Sequence, residues 1–183
     1  IAAPLAVMRS SLVGSLLGVL HYNLARRAGR VRVFEVGRVF RRDAGVPDSG
    51  TTVAGVNQPM RLGALAYGPA VQAQWGAKER SVDFFDLKGD IEALLAPRKP
   101  AFIPDTHPAL HPGRCARIEL DGRPIGHVGE LHPQWRQAYE LPAAPLLCEL
   151  DLDAVLARDL PLALPVPKHQ SSWRDIALVV RDD

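Results

Sequence analysis

The sequence has too little cysteine for a disulfide scaffold. Of 183 residues two are cysteine, Cys115 and Cys148, far apart and outside any CxxC pair. That usage fits buried thiols in a reducing, cytosolic setting. An excess of one charge is missing too. Twenty-two basic residues against 20 acidic ones leave a formal net charge of +2, so no global field draws the chain to nucleic acid or an anionic membrane. No apolar run reaches the roughly 20 residues that span a bilayer. The opening IAAPLAVMRSSLVGSLLGVL has no basic region ahead of its apolar stretch, and Arg9 interrupts it, which argues against a signal peptide. GxSxG, the P-loop and a GxGxxG opening a helix are all missing. Their absence removes the commonest hydrolase and nucleotide signatures.

What is present is a sizeable core. Hydrophobic residues make up 47% of the chain, enough for a folded domain of ordinary size with a fragment of a second. The chain begins without Met and ends in RDIALVVRDD, inside an apparent strand, as a piece excised from a longer protein would. The most unusual stretch is VRVFEVGRVFRRD, Val31 to Asp43. Read as one strand, it alternates faces. Val31, Val33, Glu35, Gly37, Val39, Arg41 and Asp43 fall on one side, and Arg32, Phe34, Val36, Arg38 and Phe40 on the other. Glu35, Arg41 and Asp43 in one row around a glycine suit the floor of a phosphate-handling cleft, working or vestigial. They equally suit a solvated edge strand.

Ahead of that strand, Ser10 to Ala28 has helical spacing. Leu12, Leu16, Val19 and Asn23 form one row, flanked by Val13, Leu17, Leu20 and Leu24. Ser10 or Ser11 is the expected cap and Gly29 the stop. A stripe this wide serves a core, or is shared between a core and a partner subunit. Gly14 and Gly18 lie four apart, where a neighbouring backbone can approach. Arg61–Gly68 reads as a second strand. Asp83–Leu95 reads as a helix capped by Ser81, with Gly89 inside it for close packing. Arg114–Leu120 and Pro124–Glu130 flank Asp121-Gly122, a hairpin turn. His132–Tyr139 is a short helix, Leu146–Leu152 a strand and Asp153–Arg158 a short helix. Pro161, Pro165 and Pro167 mark a linker with a boundary near residue 165, after which Arg174–Val180 begins a new strand.

Few residues suit metal or nucleophilic chemistry. His107, His111 and Cys115 are spaced four apart, but Pro108 and Pro112 keep the histidines off a helix face. Turn-forming, hydrogen-bonded histidines are the expectation, with no metal site. Arg26, Arg27, Arg30, Arg32, Arg38, Arg41 and Arg42 form a basic tract with little aromatic interleaving. It fits a solvated or subunit-facing cluster better than an RNA-binding module. Glu130, after Gly129, is a weak site carboxylate.

VMRSSLVGSLLGVLHYNLARR, FEVGRVF, VDFFDLKGDIEALL, HPALHPGRCARI, DGRPIGHVGELHPQW, LLCELDLDAVL and RDIALVV together resemble the β subunit of bacterial phenylalanyl-tRNA synthetase, in that family's order and over nearly the whole chain. The resemblance implies an α+β fold with an antiparallel sheet flanked by helices, the class II aminoacyl-tRNA synthetase core. It implies a catalytic-like module over residues 1–165. Residues 166–183 would be a linker and the first strand of a truncated ferredoxin-like, anticodon-binding domain. VRVFEVGRVFRRD is similar to the class II second motif, in which the arginine at Arg41 grips the ATP α-phosphate; Asp43 stands where Glu is expected. The glycine-rich third motif has no counterpart, and GHVGELHP in a comparable region lacks its arginine.

The implied module is a non-catalytic scaffold packing on the catalytic α subunit of a cytoplasmic (αβ)2 ligase. ATP and magnesium serve the holoenzyme and no cofactor serves this part; tRNA is met through the holoenzyme. Glu35, Arg41 and Asp43 are then degenerate nucleotide-site residues. Leu12, Leu16, Val19, Leu20 and Asn23 are the expected subunit-interface residues, and self-association follows if that stripe lacks its partner. A working adenylate-forming domain is the alternative.

Overall fold

The computed structural model describes residues 7–157 and 172–177. Six strands form an antiparallel sheet: β1 (Val31–Arg38), β4 (Met60–Tyr67), β5 (Ala101–Pro104), β6 (Leu110–Leu120), β7 (Arg123–Leu131) and β8 (Leu146–Asp151). Their spatial order is β1-β4-β8-β7-β6-β5. A separate ribbon pairs β2 (Arg41–Arg42) with β3 (Val56–Asn57). The helices of the described residues are α1 (Val13–Leu24), α2 (Phe84–Leu95), α3 (Pro133–Ala138) and α4 (Leu152–Leu156).

Residues opposite one another on neighbouring strands share a face of the sheet. The back face carries Ala116, Ile118, Val128, Leu146, Cys148 and Leu150. It is closed by Leu87, Ile91 and Leu95 of α2 and Val155 of α4. The front face carries Val31, Leu65, Leu147 and Cys115 at one end, where Leu16, Leu17 and Leu20 of α1 cover it. Asp83 caps α2 by accepting from the Phe85 and Asp86 amides, and Asp86 returns a bond to the Asp83 amide. This capping box starts the helix after Asp83, so the cap is two residues later than Ser81.

The hairpin forms as the sequence indicates. Asp121 (φ 54°) and Gly122 (φ 75°) both take the left-handed conformation that a tight two-residue turn requires. Three features differ from expectation. Val31–Asp43 is not one strand: β1 ends at Arg38, where the Val39 amide bonds to Pro59 O and the Phe40 amide to Arg9 O. The Val39 bond still follows the β1–β4 register, but Pro59 has no amide proton to return and the Phe40 amide turns to Arg9, so the ladder stops and Arg41 resumes in the β2–β3 ribbon. The first helix is 12 residues, roughly 18 Å long. Beyond Leu24 it unwinds into turns, and Arg27 has φ 64°. Among the described residues Gly14, Gly18 and Gly89 have nothing close to a Cβ placed on them, so none marks a packing contact within this chain. Residues 172–177 have no regular structure. The linker, the boundary near 165 and the rest of the Arg174–Val180 strand lie outside the described residues.

Candidate functional site: a charged cleft on the front of the sheet

One row of paired residues crosses the sheet: Glu35, Gly63, Glu149, His127, Arg117 and Ile103. Four of the six are polar or charged and all share the front face. At the β1 end the row is covered. The Arg9 guanidinium bonds Glu35, and Ser15 Oγ donates to Glu35 Oε2 at 2.6 Å. Burial pushes the Glu35 carboxyl up, but the bonds from Ser15 and Arg9 outweigh it and hold the group below its usual range. Next to it Gly63 leaves room for α1. A Cβ there would lie 3.0 Å from Leu16 Cδ1 and 3.1 Å from Leu12 Cβ. The start of α1 therefore separates Glu35 from the rest of the row.

Beyond α1 the row opens into a cleft of about 330 Å³ lined by Arg41, Arg61, His107, His127, Glu149 and Asp151, with Val13, Leu110 and Leu147 as apolar wall. Its charges are matched. Glu149 Oε1 lies 3.8 Å from Arg41 Nη2, and Asp151 Oδ2 lies 3.5 Å from Arg61 Nη1. Glu149 Oε2 also accepts from Ser11 Oγ and from the Leu12 amide, both at 2.7 Å. Together with Ser11, whose Oγ accepts from the Val13 amide at 3.1 Å, it holds the N-terminus of α1, where the N-cap residue Leu12 has no side-chain cap. Asp151 Oδ1 does the same for α4, accepting from the Asp153 and Ala154 amides. On the far side His127 Nε2 is 3.2 Å from Asp105 Oδ2, and Arg117 bridges Asp105 and Glu119. Burial lowers the pKa of His107, with the neighbouring His127 charge adding to the effect.

Of the nucleotide-site candidates, only Arg41 reaches this cleft. Glu35 is tied up under α1. Asp43 makes a turn, its Oδ1 accepting from the Gly45 amide at 3.0 Å. Leu12, Leu16 and Leu20, expected at a subunit interface, are 0%, 2% and 0% exposed within this chain, spent on its own core. Val19 remains 41% exposed, and Asn23 donates to Val19 O. Leu12, Leu16 and Leu20 are thus covered within the chain, while Val19 stays on the surface. Glu130 lies on the back face, paired with Arg114 at 2.6 Å.

The arginine tract is dispersed. Arg26 stacks on Tyr22, Arg30 bonds the Pro69 and Ala70 carbonyls, Arg32 pairs with Asp90, and Arg38 bonds Gln58 O. The histidines form turns. In each of three His-Pro dipeptides, at His107, His111 and His132, Nδ1 accepts from the amide two residues on. Burial pushes the thiols of Cys115 and Cys148 up to about 11 and about 12, which leaves them unreactive at neutral pH. Among the described residues no group of three or more His, Cys, Asp or Glu side chains is placed to hold a metal ion. No helix there is long and apolar enough to cross a membrane.

The comparisons decide the family. The model of the phenylalanyl tRNA synthetase beta chain CLM domain matches residues 1–152. The chain belongs to the phenylalanyl-tRNA synthetase β-chain family. It is 60% identical over its whole length to the phenylalanine–tRNA ligase beta subunit of Ralstonia nicotianae, and 58% identical over 181 residues to that of Cupriavidus pinatubonensis. The same subunit from Bordetella parapertussis is 50% identical over 182 residues. The chain covers 98–100% of itself in these matches but only 22–23% of the relatives' length. Among solved structures it is similar to a pyrrolysyl tRNA synthetase from Desulfitobacterium hafniense. The TM-score is 0.56 at 11% identity, over 81% of this chain and 47% of that one. The fold is the class II synthetase-like core.

Within this β-chain core, the strand–helix segment that meets Arg41 is β8–α4, through Glu149 Oε1 at 3.8 Å from Arg41 Nη2. GHVGELHP, on β7, is one strand further away. β8–α4 has Glu149 and Asp151 on its front face and no glycine or arginine. Both cleft arginines face carboxylates, Arg41 at 3.8 Å and Arg61 at 3.5 Å. Glu149, Asp151 and Arg61 escaped the sequence reading. The available signal was LLCELDL, where two acids alternate into one face of an otherwise apolar strand.

Proposed function

We propose that this chain is a non-catalytic scaffold module of the phenylalanine–tRNA ligase β subunit. It packs on a catalytic α subunit in a cytoplasmic (αβ)2 enzyme that attaches phenylalanine to its tRNA with ATP. Residues 1–165 make the module, and residues 166–183 lead into the anticodon-binding domain. ATP and magnesium serve the α subunit's site. The observation that carries the reading is the internal pairing of Arg41 with Glu149 and Arg61 with Asp151. Stabilising a transferring phosphoryl group needs several cationic groups aimed at it, and here both are turned on the protein's own acids. The partner contact uses what α1 leaves outward, centred on Val19 and Tyr22, 41% and 57% exposed.

The test is to prepare full-length α and β chains separately. The β chain alone shows no ATP–pyrophosphate exchange with phenylalanine, and mixing with α gives a co-eluting, active complex. Val19→Glu weakens co-elution while leaving the circular dichroism of β unchanged. Exchange by the β chain alone would end the scaffold reading.

A further inference from the structure

Three donors of the kind that bind phosphate oxygens converge on Glu149 at the wall of the cleft. They are a helix-terminal amide (Leu12), a hydroxyl (Ser11) and a guanidinium (Arg41). All three are directed at Glu149, whose side chain is only 16% exposed. Arg61, 16% exposed, faces Asp151 in the same way. Each carboxylate does two jobs, neutralising an arginine and capping a helix, so neither turns away without leaving helix donors bare. A phosphate entering this space would meet two carboxylates beside the arginines, with the Ser11 and Leu12 donors already bonded to Glu149.

We propose that Glu149 and Asp151 are built-in counter-anions that close this cleft to phosphate-bearing ligands while fixing α1 and α4 on the sheet. The cleft keeps its cations and its shape, and the anion is supplied by β8. The inference rests on the non-catalytic reading and deepens it by naming what occupies the site.

The test uses full-length β chain and inorganic pyrophosphate, by titration calorimetry at constant ionic strength. The wild type is compared with E149Q/D151N, in which the amide oxygens still cap both helices, and with E149Q/D151N/R41A. The double variant binds pyrophosphate at least about tenfold more tightly than wild type, and R41A removes the gain. In a second arm E149A loses thermal stability, and acetate restores it where chloride at equal ionic strength does not. A folded double variant that binds no better than wild type, a gain that survives R41A, or no acetate rescue would each overturn the inference and leave the scaffold reading standing. Tight pyrophosphate binding by the wild type would overturn both.

Discussion

Glu149 and Leu150 are neighbours on β8 and point to opposite faces of one sheet. Leu150 is fully buried between the sheet and the α2–α4 layer, in the largest apolar cluster of the described residues. Glu149 looks into a cleft whose volume is about 330 Å³ and whose contents are ion pairs. The contrast separates two tasks. The back face holds the fold together by excluding water. The front face holds a cleft whose carboxylates face the protein's own arginines and cap its helices.

The contrast breaks first if the back face fails to dominate stability. Leu150→Ala removes a side chain with no exposed surface and is expected to cost about 2–5 kcal/mol, measured by urea unfolding. Glu149→Ala, one residue away, is expected to cost about 1–2 kcal/mol through the lost cap on α1, with fraying confined to the first turn in hydrogen exchange. Equal costs for the two would erase the distinction between the faces.

Acid sharpens the same comparison. At the start of α2 the bidentate bond from Arg80 outweighs burial and holds Asp86 down to about 2 from 3.8. Because the folded value is the lower one, this stabilisation is complete above about pH 4 and is lost as pH falls toward 2. It is expected to contribute about 1 kcal/mol after solvent screening of the exposed Arg80 end, and Asp86→Asn should flatten the acid limb of the stability curve. The smallest effect belongs to Arg41→Ala. Its 3.8 Å pair with Glu149 is solvent-facing on the arginine side, so unfolding free energy should change by less than about 0.5 kcal/mol.

Much of the fold was legible because its signals are local. The Asp121-Gly122 hairpin, the apolar stripe of α2 and the alternation in β4 and β8 each follow from neighbours in sequence. The cleft was legible only in part. Arg41 stood out through its resemblance, but Glu35 and Asp43 shared its row only on the assumption of an unbroken strand. That strand ends because Pro59, opposite Val39, has no amide proton to give and Arg9, far off in sequence, takes the Phe40 amide. The α1 stripe was visible, yet nothing local says whether its own sheet or a partner covers it. Gly63, which admits Leu12 and Leu16 to the sheet, settles that only in three dimensions.

The proposal that the front cleft takes no part in nucleotide chemistry is open to a kinetic check. It is tested most directly by ATP–pyrophosphate exchange in the assembled α–β ligase carrying Arg41→Ala and Arg61→Ala in β. A kcat within about twofold of wild type is expected, since each arginine faces a carboxylate of its own chain. A fall of about a hundredfold or more, the size expected when a transition-state donor is removed, would contradict it.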